Sequence, residues 1–432
     1  MMGSDATRAI VAADKAHSWH PFTQMEAWCA PRHEPLVLVE GSGARLRDSE
    51  GREYIDGNSS IWTNLHGHRH PKIDAAIRAQ LDYVAHTSFL GFTNPPATQL
   101  AEELVALWPA DTLTRVFFSD DGSTAIEVAL KMAAQYWQLT GAPERRTFVA
   151  FDGAYHGDTM GASSLGGIDA FHGRFAGWQF PAQHVACMEE LQALDPSQIA
   201  AVVIEPLIQG AAGMRLWPSG MLAELRAWCD STGVLLIADE VMTGFGRTGR
   251  MFACEHEAVV PDLIALAKGL TGGYLPLAAT LTTERIFNAF LGGTDRTLYY
   301  GHSYTGNQLG CAAALANLAV FREEHVLENL TAKIQLLAEL LQPLRDNPNV
   351  REIRQCGFII GIELQQADGT PFAAEQMTGA RVCLAAREHG LLTRPIRDVI
   401  VLMPPFCITE AELRTAVEAL EQGIKAVCCG SR

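Results

Sequence analysis

One stretch of the sequence, residues 233–273, constrains the fold and the chemistry more than any other. An apolar run at 234–238 predicts a buried strand, and it ends on two acids, Asp239 and Glu240. A loop punctuated by glycines follows, and a second apolar run then leads to Lys268 and a glycine cluster. A carboxylate at the carboxyl end of a buried strand lies where open α/β sheets bind ligands. The stretch therefore predicts an α/β fold with a ligand site at this edge of the sheet.

Lys268 and Asp239 have the properties that a pyridoxal phosphate site requires. A lysine that follows an apolar run is partly desolvated, which lowers the pKa of its amine and makes it nucleophilic. Such a site needs one group to form a Schiff base with the coenzyme and an acid to hold the proton on the pyridine nitrogen. Considered alone, the pair has a second interpretation, because Asp239 could cap a helix and Lys268 could be an ordinary solvated lysine.

The composition bounds the class of protein. The chain has 432 residues, 48% hydrophobic and 19% charged, which is typical of a globular enzyme with two domains. The net charge of −16 argues against nucleic acid or an anionic membrane as the main partner. The ten cysteines lack metal-ligand spacing, so we expect no metal, and their scatter is typical of a reduced, cytoplasmic protein. We expect neither a signal peptide in residues 1–15 nor a membrane span.

Strand and helix patterns alternate through the middle of the chain. Apolar strand runs lie at residues 114–119, 146–151, 199–204 and 277–283, and helical spacing lies at 71–85, 125–139 and 310–344. Such alternation predicts a mostly parallel sheet that is covered by helices on both faces.

The first of these strands leads into its helix through a short polar turn. The turn contains Asp121, Gly122 and Ser123. Free amide N–H groups at a helix N-terminus bind anions, so Gly122 and Ser123 are candidates for phosphate binding. A plain helix cap at Asp121 or Ser123 explains the same residues equally well.

Tyr155 follows the strand at 146–151. An aromatic side chain at a strand end can stack on a planar cofactor ring, although a loop tyrosine more often packs on the core. Both interpretations of Tyr155 stand at this point.

The pattern of elements changes near residue 325, where strands and helices become shorter. We expect residues 61–324 to form a larger domain and residues 325–432 to form a smaller α+β domain. The pattern of residues 1–60 predicts an N-terminal arm and a β-hairpin, and we assign both to the smaller domain.

Several motifs occur together in one order along the chain. They are Asp-Asp-Gly-Ser-Thr at 120–124, Tyr-His-Gly at 155–157, Glu-Pro at 205–206, Ile-Ala-Asp-Glu-Val at 237–241, Gly-Phe-Gly-Arg-Thr-Gly at 244–249, Ala-Lys-Gly at 267–269 and His-Ser-Tyr-Thr-Gly-Asn at 302–307. In these motifs, and over nearly its whole length, the chain resembles the class III aminotransferases. The resemblance implies fold type I, with a mostly parallel seven-stranded sheet in the large domain and a smaller α+β domain built from both termini. It also implies pyridoxal 5′-phosphate as the cofactor.

The resemblance implies a role for each residue that contacts the coenzyme. Lys268 would hold it covalently and move protons, and Asp239 would keep its ring nitrogen protonated. Gly122 and Ser123 would bind the phosphate, and Tyr155 would stack on the ring. These five residues match the family's motifs position by position.

Four further residues match cofactor-binding positions of the family. His156, Glu205 and Val241 belong to the chain's own site, and Ser303 aligns with a phosphate-binding position that family members take from the partner subunit. The resemblance therefore implies a homodimer in which each active site is shared.

Within the class, other motifs are similar to those of the biotin-pathway members. Trp-His-Pro-Phe at 19–22 and Arg-Pro-Ile at 394–396 are two of them. This similarity implies amination of 8-amino-7-oxononanoate, with an arginine on the substrate carboxylate and aromatic rings along its apolar chain. The substrate-binding residues so implied are Phe22, Trp62, Tyr155, Gly301 and Arg394.

Three residues depart from the pattern of those members that use S-adenosylmethionine as the amino donor. Ile61 stands where many of them have Trp, and Phe22 stands where they have Tyr. Because the Ile-Trp form is similar to relatives that use lysine, both donors stay open. Asp121 replaces a small hydroxyl, and since a carboxylate repels phosphate, we expect it to point away or to cap the helix.

Other functions are compatible with the same residues. One is a different class III ω-aminotransferase that acts on diamines or β-amino acids with a 2-oxo acid. Another is an aminomutase or a decarboxylase that keeps Lys268. For Arg247 in the glycine-rich loop, a structural role and a role near the site are equally compatible with the sequence.

Overall fold

The computed structural model describes residues 4–428. The strands are β1 Leu38–Ser42, β2 Arg45–Asp48, β3 Glu53–Asp56, β4 Leu113–Ser119, β5 Thr147–Phe151, β6 Ala182–Val185, β7 Ile199–Ile204, β8 Ile208–Gln209, β9 Arg215–Leu216, β10 Leu235–Asp239, β11 Leu263–Leu266, β12 Ala278–Thr283, β13 Val350–Cys356, β14 Ile359–Leu364, β15 Leu391–Leu392, β16 Pro395–Ile396 and β17 Val399–Leu402. The α-helices are α1 Ser4–His17, α2 Met25–Cys29, α3 Ser59–Trp62, α4 Pro71–Leu81, α5 Pro95–Ala106, α6 Gly122–Leu139, α7 Met160–Ser164, α8 Asp169–His172, α9 Met188–Gln192, α10 Met221–Thr232, α11 Glu284–Ala289, α12 Gln308–Glu323, α13 Val326–Leu340, α14 Gln342–Arg345, α15 Thr378–Glu388 and α16 Glu410–Cys428.

A seven-stranded sheet in the order β4-β12-β11-β10-β7-β5-β6 organises the larger part of the molecule. Strand β10 pairs in parallel with both β7 and β11, and β5 pairs in parallel with β6 and β7. Strand β12 runs antiparallel to both of its neighbours, β11 and β4. The predicted fold class, with a mostly parallel seven-stranded sheet, is confirmed.

The apolar runs form the central strands because both faces of the sheet are covered. Every residue of β7 and of β10 is buried. Helix α6 lies on one face and buries Ile126, Ala129 and Ala133 completely. Burying one valine, leucine or isoleucine side chain contributes about 1.5–3 kcal/mol, so strands without polar positions are stable only at the centre of the sheet.

Strands from both ends of the chain meet in a second sheet, in the order β1-β2-β3-β15. Leu391 of β15 pairs with Ile55 of β3, so the N-terminal hairpin is joined to the C-terminal part. A third sheet has the order β13-β14-β17-β16. The division at residues 60 and 324 stays a prediction, and residues 1–3 and 429–432 of the assigned domains lie outside the described part.

The structure differs from the sequence-based expectation in several elements. The helical zone expected at 310–344 is three helices, because His325 adopts a left-handed conformation (φ 49°) and Pro343 starts a new helix. Helices α1 and α5 and the edge strand β6 were not predicted, and β6 has two exposed residues among its four, so it lacks a strong apolar pattern. Within residues 4–428, the helices lack the length and apolarity needed to span a membrane.

Candidate active site

A cavity of about 1840 Å³ opens at the carboxyl edge of the central sheet. It brings together most of the residues that the sequence singled out. The predicted residues that line it are Phe22, Trp62, Gly122, Ser123, Tyr155, His156, Glu205, Asp239, Val241, Lys268 and Arg394. Gly301 and Ser303 are outside this set and lie on an exposed segment.

Asp239 is the last residue of β10, and its carboxylate is held from two sides. Its Oδ2 lies 2.7 Å from Nδ1 of His156, and its Oδ1 accepts a hydrogen bond from the Val241 amide at 3.1 Å. Burial opposes the charged form of His156, but the adjacent Asp239 carboxylate outweighs it and raises the pKa of His156. The His156 ring therefore donates Nδ1–H to Asp239 and fixes the orientation of that carboxylate.

Lys268 follows β11 and the extended residue Ala267, and it faces the cavity. Its Nζ lies 4.8 Å from the centre of the Trp62 ring. Burial lowers the pKa of Lys268, while the carboxylates of Asp239 and Glu205 act in the opposite direction. An amine whose pKa is lowered in this way has a larger neutral, nucleophilic fraction at neutral pH.

The N-terminus of α6 faces the same cavity. Asp121 caps this helix and accepts a hydrogen bond from the Thr124 amide at 2.9 Å, which confirms the expectation for Asp121. A Cβ on Gly122 would lie 2.7 Å from Cγ1 of Val241, and one on Gly157 would clash with Oγ of Ser123. Since only glycine fits at both positions, backbone amides line this corner, as an anion site requires.

Glu205 and Tyr155 lie beside this corner and are linked to each other. The Glu205 carboxylate accepts hydrogen bonds from the Tyr155 amide at 3.2 Å and the Gly210 amide at 2.8 Å. Burial raises the pKa of Glu205 to about 7. The Tyr155 hydroxyl donates to Asp158 at 2.5 Å, and its ring stacks on His172 with centroids 5.9 Å apart. Burial and this hydrogen bond raise the pKa of Tyr155.

The outer part of the cavity contains residues that the sequence did not single out. Arg354 and Glu363 line it and form an ion pair of 2.6 Å, and Phe372 and Phe171 add apolar surface. Phe171 packs edge-on against Phe22 at 5.4 Å. No motif marks these residues, because strands and loops distant in sequence bring them to the cavity.

Arg247 has a structural role. Its side chain is buried and donates to the carbonyl oxygens of Pro404 at 2.8 Å and Asn64 at 3.1 Å. It thereby joins the glycine-rich loop to segments from both ends of the chain, and it does not line the cavity.

The residues present fit pyridoxal phosphate. An anion corner made of glycines and a helix N-terminus, a carboxylate held by a buried histidine, and a desolvated lysine amine line one cavity. These are the three kinds of group that the phosphate, the pyridine nitrogen and the aldehyde of the coenzyme need.

The chain belongs to the class-III aminotransferase family, whose model matches residues 28–424. It is therefore a pyridoxal phosphate-dependent aminotransferase, and the predicted class, enzyme type and cofactor are confirmed.

Comparison with individual proteins shows which aminotransferases this chain is similar to. The adenosylmethionine-8-amino-7-oxononanoate aminotransferase of Nitratidesulfovibrio vulgaris is 51% identical over 98% of this chain and 82% of the relative. The crystal structure of the enzyme of that name from Methanocaldococcus jannaschii has a TM-score of 0.94 at 42% identity, over 97% of this chain and 99% of that one. An amine transaminase from an uncultivated Pseudomonas species, solved with pyridoxal phosphate bound, has a TM-score of 0.89 at 35% identity, over 95% and 98%.

Proposed function

We propose that this enzyme transfers an amino group to 8-amino-7-oxononanoate and forms 7,8-diaminononanoate, a step of biotin biosynthesis. The names of its relatives support this acceptor. The observation that carries the proposal is that one cavity holds Lys268, Asp239 and, on its outer wall, Arg394. S-adenosylmethionine is the amino donor that the relatives' names favour, and lysine is the second candidate.

Lys268 and Asp239 perform the central steps of the proposed mechanism. When bound, pyridoxal phosphate supplies an electron sink for the carbanion at the amine-bearing carbon. Lys268 would hold the coenzyme through Nζ, and its amine would move the proton to and from the reacting carbon. The Asp239 carboxylate would hold a proton on the ring nitrogen, and His156 orients Asp239 through the 2.7 Å hydrogen bond.

The remaining cofactor residues position the coenzyme. The amides of Gly122 and Ser123, at the positive end of the α6 dipole, bind the phosphate. Tyr155 and Val241 line the same cavity and would contact the coenzyme ring. Glu205 holds the Tyr155 amide in place.

The outer cavity binds the acceptor. The planar guanidinium of Arg394 pairs with the substrate carboxylate, because two parallel N–H groups match two carboxylate oxygens. Phe22, Trp62 and Tyr155 line the apolar chain between the carboxylate and the reacting carbon.

The proposal includes a cytoplasmic homodimer with shared active sites. Large side chains around Ser303, namely Tyr83, Leu90, Phe92, Tyr299 and Tyr304, are 60–89% exposed. His86 joins the two segments that carry them, since its Nε2 lies 2.9 Å from the Ser303 carbonyl oxygen. An apolar patch of this kind is typical of a protein interface, and a second copy would place Ser303 and Gly301 at its partner's cavity.

A donor screen tests the proposed function. The enzyme is incubated with 8-amino-7-oxononanoate and either S-adenosylmethionine, lysine or other amines, and the diamine is quantified. Diamine is expected with one of the first two donors, and Lys268→Ala should lose both the product and the visible absorption band of the coenzyme. Failure to form the diamine from any donor would contradict the proposal.

A second candidate function is that of another ω-aminotransferase. The likeness to the solved amine transaminase favours it, and so does the departure of Phe22 and Ile61 from the pattern of the biotin-pathway members that use S-adenosylmethionine. In this case the acceptor is a 2-oxo acid and the donor a diamine or β-amino acid. Formation of alanine or glutamate from pyruvate or 2-oxoglutarate in the same screen, without amination of the oxononanoate, would favour it.

A further inference from the structure

Asn317 is a polar residue in the middle of the apolar helix α12, and it has no exposed surface. Its Nδ2 donates to two carbonyl oxygens, those of Gly269 and Leu270, at 3.0 Å each. Both carbonyls belong to the 3₁₀ turn Lys268–Thr271, which begins at the catalytic lysine. A buried amide in an apolar helix is stable only when it is fully hydrogen-bonded, so α12 has a specific connection to this turn.

His66 orients the Asn317 amide. Its Nε2 lies 2.8 Å from Oδ1 of Asn317, and both side chains are buried. Burial lowers the pKa of His66 to about 4, so the ring is neutral at neutral pH. Because Oδ1 is an acceptor, the Nε2 atom of the neutral ring carries the proton. The amide thus has one arrangement, with its oxygen toward His66 and its nitrogen toward the turn.

The turn that Asn317 contacts has an unfavourable backbone conformation at Lys268. Its φ is +43°, in the left-handed region that residues with a side chain rarely adopt. Such a conformation persists only where the surrounding structure determines it. The neighbouring Gly269 is closely packed, since a Cβ at this position would lie 3.0 Å from Leu65 and 3.1 Å from Phe245.

The segment that carries His66 also contacts the lysine amine. Trp62 lies 4.8 Å below Nζ of Lys268, and the Leu65 amide donates to the Gly272 carbonyl at 3.3 Å. The short segment that carries Trp62, Leu65 and His66 therefore contacts both the Lys268 amine and the C-terminal end of the turn from which Lys268 projects.

We propose that Asn317 and His66 are positioning residues, which hold the left-handed turn and thereby direct the Lys268 amine into the cavity. The inference rests on the proposed role of Lys268 but is independent of the identity of the acceptor. Without the amide, the turn relaxes toward an ordinary conformation, and Nζ moves relative to the coenzyme and the substrate.

The test compares Asn317→Leu and Asn317→Asp with a matched control, Gln355→Leu, in the coenzyme-loaded enzyme. The Gln355 amide also bridges two carbonyl oxygens, those of Ile334 and Gly357, at 3.1 Å each, but it lies far from the lysine turn in the sequence and outside the cavity. The measurements are the thermal unfolding midpoint, the pH titration of the coenzyme's visible band, and kcat and KM with an active donor.

Both Asn317 variants are expected to lower kcat about 10- to 100-fold with little change in KM, because displacing a reacting group by about 1 Å has an effect of this size. The visible band should titrate at higher pH in these variants. A relaxed turn admits water to Nζ of Lys268, and water stabilises the protonated, charged form of that nitrogen. Gln355→Leu should lower the unfolding midpoint and leave kcat and the titration unchanged. If the Asn317 variants resemble Gln355→Leu in all three measurements, Asn317 is only structural and the inference is wrong.

A second pair of variants keeps the test decisive where Asn317 variants fail to fold. His66→Gln retains an N–H donor for Asn317, and His66→Leu does not. The inference requires that His66→Gln keep most of the wild-type kcat and the wild-type titration pH of the visible band. His66→Leu should have a lower kcat and a shifted titration. Equal behaviour of the two variants would overturn the inference. A wild-type enzyme with no visible band, or a band that persists in Lys268→Ala, would instead count against the proposed function.

Discussion

Burial has opposite consequences for the acidic and the basic side chains that line the cavity. It lowers the pKa of Lys268 and raises that of Glu205 to about 7. Both shifts favour the neutral forms, because charge is poorly solvated away from water. The lysine gains nucleophilicity, and a carboxyl group beside it changes its charge near neutral pH.

The raised pKa of Glu205 predicts a pH dependence of stability. Between the ordinary value of 4.5 and about 7, the folded protein keeps a proton that the unfolded chain loses. This contribution to stability is complete below pH 4.5 and is lost as the pH rises through 7; it amounts to on the order of 3 kcal/mol. In Glu205→Gln the contribution is absent, so the difference in unfolding free energy between wild type and variant should change by this amount across the window.

Urea unfolding of the coenzyme-free protein at several pH values measures that difference. The control is Glu328→Gln, on the exposed surface of α13. Its unfolding free energy plotted against pH should be parallel to that of the wild type. A Glu205→Gln curve that is also parallel to the wild type would show that Glu205 titrates normally in the folded protein.

Helix α6 shows how one element serves both the fold and the site. Asp121 caps its N-terminus, and Gly122 and Ser123, which follow the cap, line the cavity. Ser123 in turn accepts a hydrogen bond from the Asp158 amide at 3.1 Å, which joins the helix to the loop that carries Tyr155. The anion corner therefore depends on where this helix begins.

Asp121→Ala should lower the stability of the protein by about 1 kcal/mol, because the Thr124 amide loses its acceptor. Asp121→Asn should be close to the wild type, since its side-chain oxygen can still accept that hydrogen bond. Chemical unfolding with the coenzyme removed measures the effect on the helix alone. Equal stability of the alanine and asparagine variants would mean that the cap does not stabilise α6.

At the scale of the whole molecule, the exposed apolar patch around Ser303 is the feature that a single chain does not explain. The patch lies beside His302, whose Nδ1 is 2.8 Å from the Asp120 carboxylate at the rim of the cavity. The segment proposed to enter the partner's site is thus anchored next to the chain's own anion corner.

Complementation between two inactive variants tests the shared site. Lys268→Ala and Ser303→Glu should each be inactive as homodimers, the second because a carboxylate repels the phosphate. Co-expressed, they form mixed dimers in which one site has both an intact Lys268 and an intact Ser303. With random pairing, about one quarter of the wild-type activity should return. Activity no higher than that of the separate variants would exclude a site shared through Ser303.

Much of the fold and the site was predictable because it depends on local patterns. Strand β10 follows from one apolar run, and Asp121 was expected either to point away from the phosphate or to cap α6, of which the structure shows the cap. The edge strand β6 and the residues Arg354 and Phe171 were not predictable in this way, since neither periodicity nor a motif marks them.

The sequence by itself determined the class of fold and the aminotransferase family, since buried strands and short motifs depend on neighbouring residues. Only the tertiary structure decided the contacts between distant residues: that Arg247 binds the Pro404 carbonyl, that β15 pairs with β3, and that Asn317 donates a hydrogen bond to the turn at Lys268. The Gly269 carbonyl and Asn317 are 48 positions apart, and no local rule relates residues at that separation. Their contact arises only when α12 packs against the carboxyl edge of the sheet.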